Sequence, residues 1–150
     1  MAARTGKQHD LYTSDFYRWA METATALRHN KVESVDFRIV AEELEDLGRT
    51  EQRELRNRLK QLMLHILKWQ YQPARRGLSW RASVNAQRRE IQRLLKDNPS
   101  LKRQVKAQMA DAYSVARDLA VSQTRLPYDR FPAQCPFTLE DLMSKELDRL

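Results

Sequence analysis

The sequence predicts an all-α fold: an irregular bundle of four main helices with one long spine helix and a short C-terminal helix. Three observations lead there. Glycine and proline are scarce, at 3 and 5 of 150 residues, whereas the good helix formers Leu, Ala, Arg, Glu and Gln are abundant. Apolar residues recur at three- and four-residue intervals over long stretches instead of alternating. Turn-forming residues cluster in only a few places, too far apart for the frequent turns of a sheet protein. At this length one core suffices, so residues 1–150 are expected to form a single helical domain, with residues 1–10 a frayed start.

Thr13 or Ser14 is placed to cap a first helix carrying Phe16, Trp19, Ala20, Thr23, Ala24 and Leu27 on one face, with Asn30 as its stop. Ser34 offers a second cap, before a stripe through Val40, Leu44, Leu47, Leu55, Leu59, Leu62, Ile66 and Trp69 that ends at Pro73. The stripe keeps its phase across Gly48, which predicts one helix of roughly 35 residues, about 50 Å long if straight. That exceeds what the shorter first helix covers, so part of the stripe falls to the C-terminal segment or to a second copy. A third helix carries Trp80, Val84, Ile91, Leu94 and Leu95 and ends at Asn98-Pro99, where Asn98 as N-cap and Pro99 as N1 open a fourth. This one bears Leu101, Val105, Met109, Ala112, Ala116, Leu119 and Ala120 and stops near Leu126-Pro127. In the loop that follows, Tyr128, Phe131 and Phe137 are expected to dock on the bundle, and Thr138 with Asp141 forms a capping box for a short last helix.

Composition narrows the function classes. The longest apolar run, Leu62 to Leu67, is interrupted by His65, far short of the 18 or more residues of a membrane span. The polar start has no signal-peptide h-region, and the expectation is a cytoplasmic protein. One cysteine, Cys135, precludes an internal disulfide or a multi-cysteine zinc site. The net charge of +7 is localised: Lys and Arg against Asp and Glu stand at 12 to 11 over residues 1–72, 10 to 2 over 73–107 and 5 to 7 over 108–150. An excess confined to one segment points to an anionic partner for that segment.

Several runs together carry a resemblance: Glu42-Glu43-Leu44-Glu45-Asp46-Leu47-Gly48, His65-Ile66-Leu67-Lys68-Trp69-Gln70-Tyr71-Gln72-Pro73, Ser79-Trp80, Gln87-Arg88 and Asn98-Pro99-Ser100-Leu101. The chain resembles the bacterial domain-of-unknown-function family 29, from Asp10-Leu11-Tyr12 to Cys135-Pro136-Phe137. The resemblance implies a helical fold and no reaction. One departure is Gly77 after Arg75-Arg76, where the family commonly has Ser; glycine there loosens the turn.

Four groups of residues could carry chemistry. Glu43, Glu51, Glu54, Arg58 and His65 share one edge of the long stripe, within about 80° on a helical projection. Charges facing a core must pair, so the expectation is a polar network, with Gln87 and Arg88 as partners on a neighbouring helix. The sharper alternative is a metal or acid-base site around His65 with Glu43 or Glu54. Against it, no Glu-x-x-His or His-x-x-x-His pair places two ligands within one turn. Trp69, Tyr71 and Trp80 bracket the Pro73 turn, where the neighbouring arginines can stack on them. The basic run Arg75, Arg76, Arg81, Arg88, Arg89, Arg93, Lys96, Lys102, Arg103 and Lys106 suits an acidic partner or a phosphate backbone, yet it belongs to no named nucleic-acid module. With no Gly-x-Ser-x-Gly elbow and only three glycines, no catalytic residue, metal or cofactor is assigned. The leading reading is therefore a non-enzymatic interaction module that binds a protein partner or a second copy. Nucleic-acid binding through residues 75–106 comes next, and a metal-dependent enzyme around His65 last.

Overall fold

A computed structural model describes residues 2–150, the side chains of residues 2–5 excepted. Among the described residues there are six α-helices and no strand: α1 (Ala2–Ser14), α2 (Phe16–Arg28), α3 (Phe37–Tyr71), α4 (Leu78–Asp97), α5 (Val105–Thr124) and α6 (Leu139–Ser144). Short 3₁₀ turns occupy Val32–Ser34, Pro73–Arg75, Pro99–Gln104, Tyr128–Arg130 and Leu147–Arg149. The fold is all-α, and its longest helix has the 35 residues the stripe predicts, helical through Gly48. The chain divides into two compact units, Met1–Gly48 and Arg49–Leu150, with the division inside α3.

In the N-terminal unit, the expected frayed start falls partly on Met1 and the side chains of residues 2–5, outside the described residues. Residues 2–14 are helical, and tertiary bonds invisible to local propensity hold α1 in place. The Gln8 amide oxygen accepts from the backbone N–H of Asp36 at 2.7 Å. The Tyr12 hydroxyl donates to Glu43 Oε1 at 2.5 Å, and its ring meets Phe16 and Trp19 edge-on. The caps differ too. Asp15, not Thr13 or Ser14, caps α2 by accepting from the Arg18 N–H; Asp36, not Ser34, accepts from the N–H groups of Arg38 and Ile39 at the start of α3. The hydroxyls of Thr13, Ser14 and Ser34 instead bond back to carbonyls three or four residues earlier. The core here is thin, with Trp19, Thr23, Val35 and Ile39 buried.

The C-terminal unit holds the main core. Leu55, Leu59, Leu62 and Ile66 of α3, Val84 and Ile91 of α4, and Ala112, Ala116 and Ala120 of α5 are all fully buried. The three alanines recur every four residues, giving α5 a row of small side chains that allows close helix packing. Asn98 stands at both the C-cap of α4 and the N-cap of the 3₁₀ lead-in that Pro99 opens, but its side chain serves the preceding helix, Nδ2 donating to Leu94 O, and α5 itself starts at Val105. Phe131 docks as expected and is buried against Tyr71, ring centroids 4.8 Å apart. Tyr128 does not. It stays half-exposed because its hydroxyl donates to Asp118 and its ring lies beneath the Arg117 guanidinium. The Thr138–Asp141 capping box forms in both directions, at 3.0 and 3.1 Å. The Thr138 backbone N–H first and its nearby hydroxyl second hold the Asp141 carboxyl below its ordinary value.

Candidate functional site

The polar residues along α3 do not converge. Glu43 accepts from Tyr12 within the N-terminal unit. Arg58 forms an i,i+4 pair with Glu54 at 2.8 Å, while its Nη1 reaches Gln87 Oε1 at 3.4 Å. With both side chains about a third exposed, the pair contributes about 0.3–0.5 kcal/mol and serves to tie α3 to α4. Glu51 is half-buried, and among the described residues it makes no hydrogen bond or ion pair with Glu54, Arg58 or His65. His65 Nδ1 lies 2.8 Å from the carbonyl oxygen of Gln61 on its own helix and donates to it, leaving Nε2 as acceptor. No group of three or more His, Cys, Asp or Glu able to hold a metal ion occurs among the described residues. Arg88, expected near Glu54 and Arg58, is drawn elsewhere: its Nε donates to Leu142 O at 2.7 Å and its Nη2 to Lys145 O at 2.5 Å. That anchors α6, because the last carbonyls of a helix otherwise lack partners. Burial lowers the Arg88 pKa.

The aromatic cluster forms a second, better-knit group. Trp69 is buried, and its indole N–H donates to Asp148 at 3.1 Å. Arg76 and Arg81 lie over its ring at 5.3 and 4.9 Å; Arg76 also donates to Trp69 O, and Arg81 pairs with Asp148 at 3.5 Å. Lys68 sits over Trp80, and Tyr71 packs on Phe131. These contacts brace the Pro73 turn at roughly 0.5–1 kcal/mol for each cation–ring pair.

The basic run is consequently depleted of free charge. Arg76 and Arg81 are committed to Trp69, Arg88 to α6, and Arg93 to Glu90 and Asp97. Arg75, Arg89, Lys96, Lys102, Arg103 and Lys106 remain exposed and have no ion-pair partner among the described residues.

One further feature was not singled out from the sequence. A groove of about 840 Å³ runs between α5 and the segment 133–139, floored by Val105, Met109, Tyr113, Phe137 and Leu139, with Lys102 and Lys106 at its edge. Cys135 also faces it, half-buried, its thiol pKa raised by burial. The spacing of Val105 and Met109 marks one helix face, and Phe137 is expected to dock on the bundle, but nothing in the sequence shows which helix face residues 133–139 line.

This all-α protein thus presents a helical scaffold with an apolar groove and exposed cations that lack ion-pair partners among the described residues. The chain belongs to the family described as domain of unknown function DUF29, which matches residues 11–147. Comparison with curated proteins and with solved structures gives no significant match.

Proposed function

We propose that the protein is a non-enzymatic interaction module that receives a cationic amphipathic helix of another protein on the apolar face of residues 37–47. One observation carries this reading. The stripe buried from Leu55 onward continues in phase through Leu47 and Leu44, yet these two side chains are 66% and 62% exposed, and Phe37 on the same face is 55% exposed. A row of large apolar residues left in water at three- and four-residue spacing is the contact line of a helix partner. A carboxylate borders it, Glu43 at one edge, and residues 1–48 as a whole carry 6 Lys and Arg against 9 Asp and Glu. A second copy offering the same face would bring like charges together, whereas a helix with lysine or arginine flanks is complementary. A cytoplasmic setting accords with a free thiol at Cys135.

The probe is a synthetic 18-residue helix of leucine on one face and lysine on the other. It is expected to bind, with affinity falling at least about tenfold in Leu44→Ser/Leu47→Ser, since each buried leucine contributes about 1.5–3 kcal/mol. Unchanged binding by that variant overturns the proposal. So does sedimentation as a dimer that the double substitution converts to monomer, because it gives the face to a second copy.

The unpaired cations favour a second reading, nucleic-acid binding through Arg75, Arg89 and Lys96. Duplex affinity is then expected to fall steeply with salt and to drop on Arg89→Glu with Lys96→Glu; indifference to both removes it.

A further inference from the structure

We infer that the groove between α5 and residues 133–139 binds a long-chain carboxylate, its alkyl chain on the apolar floor and its head group between Lys102 and Lys106. Volume comes first: about 840 Å³ lies inside the range of roughly 300–1,000 Å³ typical of small-molecule sites. The floor is apolar, and its polar groups are mostly occupied. The Tyr113 hydroxyl donates to Pro132 O at 2.7 Å, and the Thr138 hydroxyl accepts from the Asp141 N–H. Of the other lining residues, only Ser114 and Gln134, both exposed, keep free polar side chains besides the lysines. A peptide laid here would leave backbone amides without partners, at a cost of about 1–3 kcal/mol each; an alkyl chain has no such groups.

The head group follows from charge. The first turn of α5 contains no acidic residue, yet Lys106 lies in it and Lys102 and Arg103 just before it. A helix start is the positive end of its dipole, where carboxylates stabilise and cations oppose the field. Lys102 and Arg103 belong to the last turn of the 3₁₀ lead-in, whereas Lys106 opposes the field of α5; neither Lys102 nor Lys106 has an ion-pair partner among the described residues, so an anion settling between them answers both charges. No acidic residue lines the groove among the described residues.

The test is calorimetric titration with sodium dodecanoate below its micellar concentration, alongside dodecanol and inorganic phosphate. One dodecanoate is expected per chain, with dodecanol weaker by at least about tenfold, the worth of a charge-assisted hydrogen bond. Lys102→Gln/Lys106→Gln should reduce dodecanoate affinity to that of dodecanol. Ala110→Trp, which fills the groove from an exposed helix position, should abolish binding of both; circular dichroism controls for folding. As a second readout, dodecanoate should slow alkylation of Cys135 at mildly alkaline pH. Equal affinity for dodecanoate and dodecanol, phosphate binding as tightly as dodecanoate, or alkylation at an unaltered rate would each overturn the assignment.

Discussion

The hydroxyl of Tyr113 donates to the Pro132 carbonyl from a side chain only 2% exposed, and burial pushes its pKa up to about 12. Unfolding returns the phenol to its ordinary 10.0. The folded value is the higher one, so the stability tied to the neutral phenol is complete below pH 10 and is lost as pH rises toward 12. The urea midpoint should therefore fall across that interval, and Tyr113→Phe should flatten the fall while lowering neutral-pH stability by about 1 kcal/mol for the lost bond. A Phe variant with the alkaline profile unchanged would assign the effect elsewhere; Tyr12 and Tyr128, whose hydroxyls donate to Glu43 and Asp118, are also raised. Legibility differed by residue for a physical reason. Charges on an apolar stripe announce that they need partners, and Glu54 with Arg58 found each other one turn apart. Which partner a long side chain reaches across the fold is set by tertiary geometry, so Arg88 gave no sign in the sequence that it would hold the end of α6.

At the scale of elements, periodicity read the helices well because burial must follow the helical repeat, and the length of α3 and the Thr138–Asp141 box were both visible. Caps were less legible. Thr13, Ser14 and Asp15, like Ser34 and Asp36, are all competent N-caps within a few residues, and the position chosen depends on where packing starts the helix. Gly48 shows a different limit. The residue lies within the helical span, with negative φ and open space around the site of a Cβ. Glycine in that setting gains nothing from its freedom and still costs conformational entropy on folding. Gly48→Ala should stabilise the protein by about 0.5–1 kcal/mol in urea denaturation. A destabilised variant would mean that residue 48 leaves the helical region in solution.

For the whole molecule, charge and burial are distributed in opposite senses. Residues 1–48 carry 6 Lys and Arg against 9 Asp and Glu, and residues 49–150 carry 21 against 11; this the sequence shows directly. The division of the core it does not show, because the same stripe phase runs through exposed Leu44 and buried Leu55 alike. Among the described residues, four buried side chains, Trp19, Thr23, Val35 and Ile39, serve the N-terminal unit, against 22 in the core of the C-terminal one. A unit with so little apolar burial cannot offset the entropy of ordering its chain by much, so it should open at low free energy. Hydrogen exchange under native conditions should therefore find α1 and α2 opening at least about 3 kcal/mol more readily than the Leu55–Trp69 stretch of α3, roughly a hundredfold in exchange rate. The cationic helix probe should narrow that gap by protecting α2 and residues 37–47, because ligand binding to the closed form lowers the open population. Equal opening energies in the free protein would mean that the two units unfold as one, and that the thin core draws its stability from contacts other than its own burial.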